Sequence, residues 1–291
     1  MYNNIHELLC SAAEKQLPLY EVILQNEMAL TDATRAEVLD KLRTRWHVMQ
    51  KSCAGALYTP QEMPGSLIAG QSGRQQQYTA AGHTLSGTKV NQMMALALSA
   101  SEVNAGMGRI CAAPTAGSCG VLPAVVQTAA ARTHAGEEQI LQALLVAAGF
   151  GAVITKNATV SGAEGGCQAE CGTAAAMAAA AAVTLANGTP QMCANAAAIA
   201  LINCMGLICD PVAGLVQLPC SFRNASQSVN ALTSADMALA GQSSVIPVDE
   251  VIDAMYRVGK KLPSELRETA QGGIAACQTA KAIAAQLYKG E

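Results

Sequence analysis

Apolar residues return every three or four positions through most of this chain, and strict alternation is hard to find anywhere in it. Between Ile5 and Tyr58 the spacing of Leu8, Leu9 and Ala12, and of Leu39, Leu42 and Trp46, predicts helices, with Thr31 or Asp32 as an N-cap. A stretch rich in Gly, Gln, Ser and Pro, residues 59–87, breaks the pattern and predicts an extended connector. Helical spacing resumes near Thr88 and runs toward Met107. Beyond it, segments near 120–132, 136–154, 168–187, 190–207, 228–242, 248–260 and 276–288 all fit helices, and no fixed-period repeat is present. The chain therefore reads as all-α: a helical region over 1–58, the connector over 59–87, and a compact multi-helix domain over 88–291.

Three loops interrupt the most apolar helices and concentrate small and polar residues: "APTAGSCG" (113–120), "TKNATVSGAEGGCQ" (155–168) and "CDPVAGLVQLPCSFRN" (209–224). Their backbone groups need partners, and loops set on a helical scaffold commonly carry function. All three are expected to meet at one site.

Composition narrows the picture. The chain is 51% hydrophobic but only 3% aromatic and 13% charged, so its core must be built largely from alanine and aliphatic side chains. Residues 191–209 approach membrane-spanning length, yet Asn195 and Asn203 interrupt them, which favours a buried core helix. A net charge of −3 with scattered cations gives no nucleic-acid footprint, leaving small-molecule chemistry as the default. The opening "MYNNIHELLCSAAEKQ" has no basic segment followed by an apolar block, so a cytoplasmic location is expected. In that reducing setting the eleven cysteines should be free thiols, most of them serving as small buried hydrophobes.

Cys167, Cys209 and Cys220 stand out because each borders one of the loops. Spacing alone leaves them open between ligands and core residues, since no C-x₂-C pattern of zinc or ferredoxin sites is present. "SGAEGGCQ" lacks the Lys-Ser/Thr pair of a nucleotide-binding loop. A Schiff base at Lys89 or Lys156 with pyridoxal phosphate fits poorly with a chain so short of strands. His6, His47 and His134 lie in or beside polar helical stretches and read as solvated; His83, in "AGHTLSG", alone has a loop setting that suits chemistry. The chain looks short of a general base.

Six ordered motifs, "NAGMGRICAAPTAGSCGVLPAVV", "NATVSGAEGGCQAECG", "GLICDPVAGLVQLPCSFRNA", "ADMALAG", "VIDAMYRVG" and "LRETAQGGIA", resemble those of the alpha subunit of iron–sulfur-dependent L-serine dehydratase, or L-serine ammonia-lyase. The resemblance covers essentially the whole chain. It implies that Cys167, Cys209 and Cys220 hold a [4Fe–4S] cluster, while Cys171 and Cys119 fall where relatives can have valine and alanine and are bystanders. Three thiolates leave one iron open, a Lewis acid for the serine hydroxyl as it leaves. A base must also take the Cα proton, and the aminoacrylate so formed would give pyruvate and ammonia.

By motif and chemical suitability, Thr115, Gly117, Ser118, Asn157, Ser161, Gly162 and Asn224 are the candidates for holding the substrate. Thr115 and Ser161 suit helix caps equally well. In relatives the candidate base lies on a beta domain or subunit that these 291 residues do not contain, so a beta-subunit partner is expected, with His83 as the fallback base. The end "AAQLYKGE" lacks the terminal cysteine of some single-chain relatives, so a tail thiolate is not expected to cap the open iron. Three other readings remain: a cluster-dependent L-cysteine desulfidase, a fully ligated electron-transfer or sensing protein using Cys119, Cys171 or Cys204 as fourth ligand, and a metal-free structural subunit.

Overall fold

A computed structural model describes residues 2–289. In chain order the helices are α1 (Ile5–Lys15), α2 (Leu19–Thr31), α3 (Arg35–Gly55), α4 (Gln71–Ala80), α5 (Thr88–Ala105), α6 (Val121–Thr133), α7 (Glu137–Asn157), the single turn α8 (Gly162–Gly165), α9 (Thr173–Leu185), α10 (Pro190–Asn203), α11 (Cys220–Leu239), α12 (Val248–Lys261) and α13 (Gln278–Leu287). A π-helical segment, Gln168–Gly172, runs directly into α9. Among the described residues there is no strand, only an isolated parallel bridge between Cys209 and Arg267. The all-α expectation holds.

The alanine run explains the layout. Every residue of α9 except Thr184 is buried, and α6, α7, α10 and α11 surround it. Alanine has the highest helix propensity and adds no bulk, so α9 can serve as a thin central rod that neighbours approach closely on all sides. Glycines in α7 extend the same economy of space. A Cβ at Gly149 would stand 2.5 Å from Ile23 of α2, and one at Gly151 would stand 2.8 Å from the sulfur of Met177 in α9.

The N-terminal helices share this core. Ile5, Leu8, Leu24 and Trp46 belong to the same hydrophobic cluster as Phe150 and the alanines of α9. The cap before α3 is Thr34, not Thr31 or Asp32: its hydroxyl accepts from Glu37 N while Glu37 accepts from Thr34 N, a reciprocal capping box. Asp32 instead closes α2 with a left-handed backbone, φ 52°.

Residues 59–87 are not extended throughout, because Gln71–Ala80 forms α4 and packs on α5. Apolar periodicity misses this helix because its contacts are polar. Ser72 Oγ donates to Ala95 O (3.0 Å), and Gln75 Nε2 donates to Asn91 Oδ1 (2.7 Å). Fully buried Glu102 of α5 accepts from the backbone N–H groups of Gln61 (3.0 Å), Gly70 (2.7 Å) and Ser72 (3.3 Å), tying down the connector.

Similarly, α11 begins at Cys220, eight residues before the expected 228. Its first turns bury Ser221, Asn224 and Ser228 instead of an apolar stripe. The segment expected near 190–207 ends at Asn203 as a fourteen-residue helix. One helix, Glu137–Asn157, is long and apolar enough to cross a membrane; 61% of that window is buried inside the fold.

Candidate metal centre

The three loops do converge. Asn224, fully buried on α11, donates through Nδ2 to Gly117 O (2.6 Å) and Cys220 O (2.9 Å) and accepts through Oδ1 from Gly120 N (2.8 Å). One amide thus fastens the 113–120 loop to the turn that carries Cys220. The 155–168 loop meets the third at Gly162, where a Cβ would stand 2.9 Å from Cys209 Sγ. Only glycine allows that approach. At Gly166 the backbone is left-handed (φ 75°), which turns the chain so that Gln168 N can donate to Leu207 O (3.0 Å). Gln168, fully buried, then accepts from Gly206 N (2.8 Å) and donates to Met255 O (3.2 Å), locking the segment after Cys167 onto α12.

Cys167, Cys171 and Cys209 form one buried cluster. The Cys167 thiol is held below its ordinary range, chiefly by a hydrogen bond from Cys171 and also by the Arg223 guanidinium; Cys171 is correspondingly pushed well up. Burial raises Cys220 to about 12, with the neighbouring Cys167 and Glu170 adding to the effect. Cys209 is raised further, by burial first and then by Cys167, Glu268, Glu170 and Cys220. The expected ligands Cys167 and Cys209 thus lie in one buried cluster, and Cys220, on the turn that Asn224 fastens, is near enough for Cys167 to raise its pKa. Cys171, expected to be a bystander, lies in the same pocket as a fourth thiol, with Cys167, Cys171 and Glu170 offering ligand atoms within 4.8 Å of one another. Cys119 packs apart, against Cys53 and Ala100, and Cys204 bonds back to Ala200 O on its own helix (3.1 Å).

Thr115 and Ser118 are adjacent, hydroxyl to hydroxyl at 3.0 Å, and Thr115 Oγ1 donates to the buried Glu170 carboxylate. Burial raises the Glu170 pKa, the Thr115 bond opposes this, and Glu268 adds to the rise. Gly117 makes room for that carboxylate, since a Cβ there would lie 2.5 Å from Glu170 Oε1. Thr115 is thus a carboxylate partner, and Ser161, at the N-cap position of α8, makes no side-chain cap bond. Asn157 donates to Asn3 O (2.8 Å) on the N-terminal segment instead of to the other two loops. His83 lies exposed beyond α4, and its main-chain oxygen accepts from Tyr78 Oη (3.0 Å).

Several site residues lie within the quoted motifs without being among the sequence candidates. Glu170 sits in the π-helical segment, whose wide turn re-aims side chains and recurs at functional sites. Arg223 donates to Asp210 Oδ1 (2.7 Å) and Ile208 O (2.8 Å), and Asp210 Oδ2 accepts from Ile274 N (2.8 Å). That buried pair ties the cysteine loop to the 264–277 segment.

The donor set fits an iron–sulfur cluster. It consists of thiols from separate segments, Cys167 and Cys171 on one and Cys209 on another, at a cradle whose glycines exclude side-chain atoms, with the Cys167 thiol held below its ordinary range. All eleven cysteines are free, as expected.

The family described as serine dehydratase alpha chain matches residues 14–275. The chain is 43% identical over 290 residues to the probable L-serine dehydratase, alpha chain, of Bacillus subtilis (strain 168), covering 100% of this chain and 96% of that protein. It is 43% identical over 289 residues to the L-serine dehydratase, alpha chain, of Peptoniphilus asaccharolyticus, covering 99% of each. It is also 36% identical over 282 residues to L-serine dehydratase TdcG of Escherichia coli (strain K12), but there 94% of this chain spans only 61% of a longer protein. With a match over nine-tenths of its length and full-length relatives above 40% identity, the chain belongs to the serine dehydratase alpha-chain family.

Proposed function

We propose that this chain is the cluster-binding alpha subunit of a cytoplasmic L-serine ammonia-lyase that converts L-serine to pyruvate and ammonia. The observation that supports the reading is the buried cluster of Cys167, Cys171 and Cys209, with Cys220 on the adjoining turn that Asn224 ties to the 113–120 loop. Bound by those thiolates, a [4Fe–4S] cluster would supply a Lewis-acidic iron that polarises the serine hydroxyl.

The chain's own residues do the rest of the positioning. Gly162 lets Cys209 and Glu268 approach the backbone of the 155–168 loop, and Gly117 gives the Glu170 carboxylate room to reach Thr115. Thr115 and Ser118 present a hydroxyl pair next to that carboxylate, a donor–acceptor relay suited to holding the serine carboxylate and hydroxyl in register. The amide groups of Asn224 are taken up by backbone, so it acts by fixing the loop that carries Thr115, Gly117 and Ser118.

No histidine faces the pocket among the described residues, and a beta chain is proposed to bring the group that takes the Cα proton. The names of the Bacillus and Peptoniphilus relatives, and the longer single chain of the Escherichia relative, support that division. A second reading has one observation in its favour: Cys171 is close enough to complete four-thiolate ligation, which would leave no open iron.

Anaerobic assay of the iron- and sulfide-reconstituted chain, with and without the beta chain, separates these. Pyruvate release from L-serine, larger than from L-cysteine and dependent on the beta chain, is the expected result. A reversible redox cluster with no pyruvate release would favour the four-thiolate carrier.

A further inference from the structure

Three carboxylate side chains, Asp210, Glu170 and Glu268, border the cysteine cluster. Arg223 is the one cation placed among the thiols, and its guanidinium is already occupied by Asp210 and Ile208 O. Glu170 is engaged by Thr115. Glu268 is not engaged: its carboxylate makes no ion pair and no side-chain hydrogen bond among the described residues, and it is exposed.

Its position is nonetheless fixed. Glu268 N donates to Cys209 O (2.7 Å) and Cys209 N donates to Leu266 O (2.9 Å), so the backbone that sets Cys209 also sets Glu268. Glu268 has a left-handed backbone, φ 64°, which is unfavourable for a residue with a Cβ and persists only where neighbours over-determine it. Glu268 Oε2 and Cys209 Sγ both flank Gly162, standing 3.2 and 2.9 Å from the point where its Cβ would be. The carboxylate therefore lies beside a proposed cluster ligand, exposed and without a side-chain partner among the described residues.

We propose that Glu268 receives the α-ammonium group of the amino-acid substrate and restricts the site to amino acids over the corresponding hydroxy acids. This inference rests on the serine ammonia-lyase reading above. An ammonium set against Glu268 places the substrate's amino end over Gly162, leaving its hydroxyl to face the thiols and its carboxylate to face Thr115 and Ser118. A hydrogen bond between two ions is worth more than one between neutral groups, and it is lost entirely by a ligand lacking the amine.

The test uses the reconstituted holoenzyme with its beta chain, measuring KM for L-serine and the inhibition constant of 3-hydroxypropanoate, which keeps the hydroxyl and carboxylate but lacks the amine. Glu268→Gln should raise KM for serine about tenfold to a hundredfold while kcat falls far less, and the inhibition constant of 3-hydroxypropanoate should stay the same or improve. Glu268→Gly supplies the residue that the left-handed backbone favours and removes the carboxylate. It should melt no lower than the wild type and show the same KM defect. If serine and 3-hydroxypropanoate weaken together in Glu268→Gln, or if Glu268→Gly keeps the wild-type KM, the inference is overturned. A wild-type enzyme that releases no pyruvate from serine would instead overturn the parent reading, so the two failures are distinguishable.

Discussion

Two sets of buried cysteines occupy this molecule, and their surroundings differ in kind. Cys53, Cys119, Cys193 and Cys204 lie among helices, and where their thiols bond they meet helical carbonyls or a hydroxyl: Cys119 to Ala100 O (3.6 Å), Cys204 to Ala200 O (3.1 Å), Cys193 with Thr184 Oγ1 (3.6 Å). Burial lifts the thiol pKa of Cys193 to about 11 and those of Cys119 and Cys204 to about 12. Cys167, Cys171, Cys209 and Cys220 instead face one another, with Arg223, Glu170 and Glu268 beside them. Burial is common to both sets, so it does not mark the functional thiols. What marks them is their number and setting: they lie together with an arginine and two carboxylates beside them, whereas Cys53 and Cys119 form an isolated pair.

The sharpest way to break the comparison is to exchange members of the two sets. Cys209→Ser and Cys220→Ser should each lower pyruvate release at least about a thousandfold, because an incomplete ligand set fails to hold the cluster, while Cys53→Ala stays within about threefold. Equal losses in the two sets, in proteins that remain folded by circular dichroism, would erase the distinction.

Next in size is the buried ion pair behind the pocket. Asp210→Asn leaves the Arg223 charge without its partner, and removing one member of a buried pair costs about 3–5 kcal/mol; the side-chain exposures of 2% and 14% leave little water to compensate. Urea unfolding of the metal-free chain should show that loss. The double variant Asp210→Asn, Arg223→Met should recover part of it, and a double variant no more stable than Asp210→Asn would mean the cost is not a stranded charge.

The non-ligand set has its own pH signature. A thiol whose pKa rises on folding keeps its proton while the unfolded chain loses its own, so its contribution to stability is complete below about pH 9 and drains away as pH rises toward the folded value. For Cys193 the window is from the ordinary thiol value of 9.0 to about 11, a loss of about 2–3 kcal/mol. Urea melts across that range should fall more steeply for the wild type than for Cys193→Ala. Parallel profiles would contradict the shift.

The smallest effect expected is at Cys171. If Cys171 only donates a hydrogen bond to Cys167, Cys171→Ala should bind the full cluster and lose no more than about tenfold in activity. Loss of the cluster in that variant would move Cys171 from neighbour to ligand.

Much of this was legible in the sequence where apolar spacing carries the packing. The alanine run became the central rod, the predicted helices fell within a few residues of their positions, and the loops at 113–120, 155–168 and 209–224 meet as their composition suggested. Legibility failed where polar groups carry the contact. Helix α4 and the first two turns of α11 are held by Ser72, Gln75 and Asn224, which leave no hydrophobic period to detect. At the site, Glu170, Asp210 and Glu268 take their roles from partners 55, 64 and 59 positions away, Thr115, Ile274 and Cys209. Their placement depends on a π turn and a left-handed backbone that no single residue type announces.

The central claim is that three thiolates of this chain hold a four-iron cluster with one iron free for substrate. Mössbauer spectroscopy of the anaerobic ⁵⁷Fe-reconstituted holoenzyme, recorded before and after adding L-serine, tests it most directly. One iron in about four should change its signal on addition of serine, and the change should be absent in Cys209→Ser. Four irons that all stay unchanged while pyruvate accumulates would contradict the account.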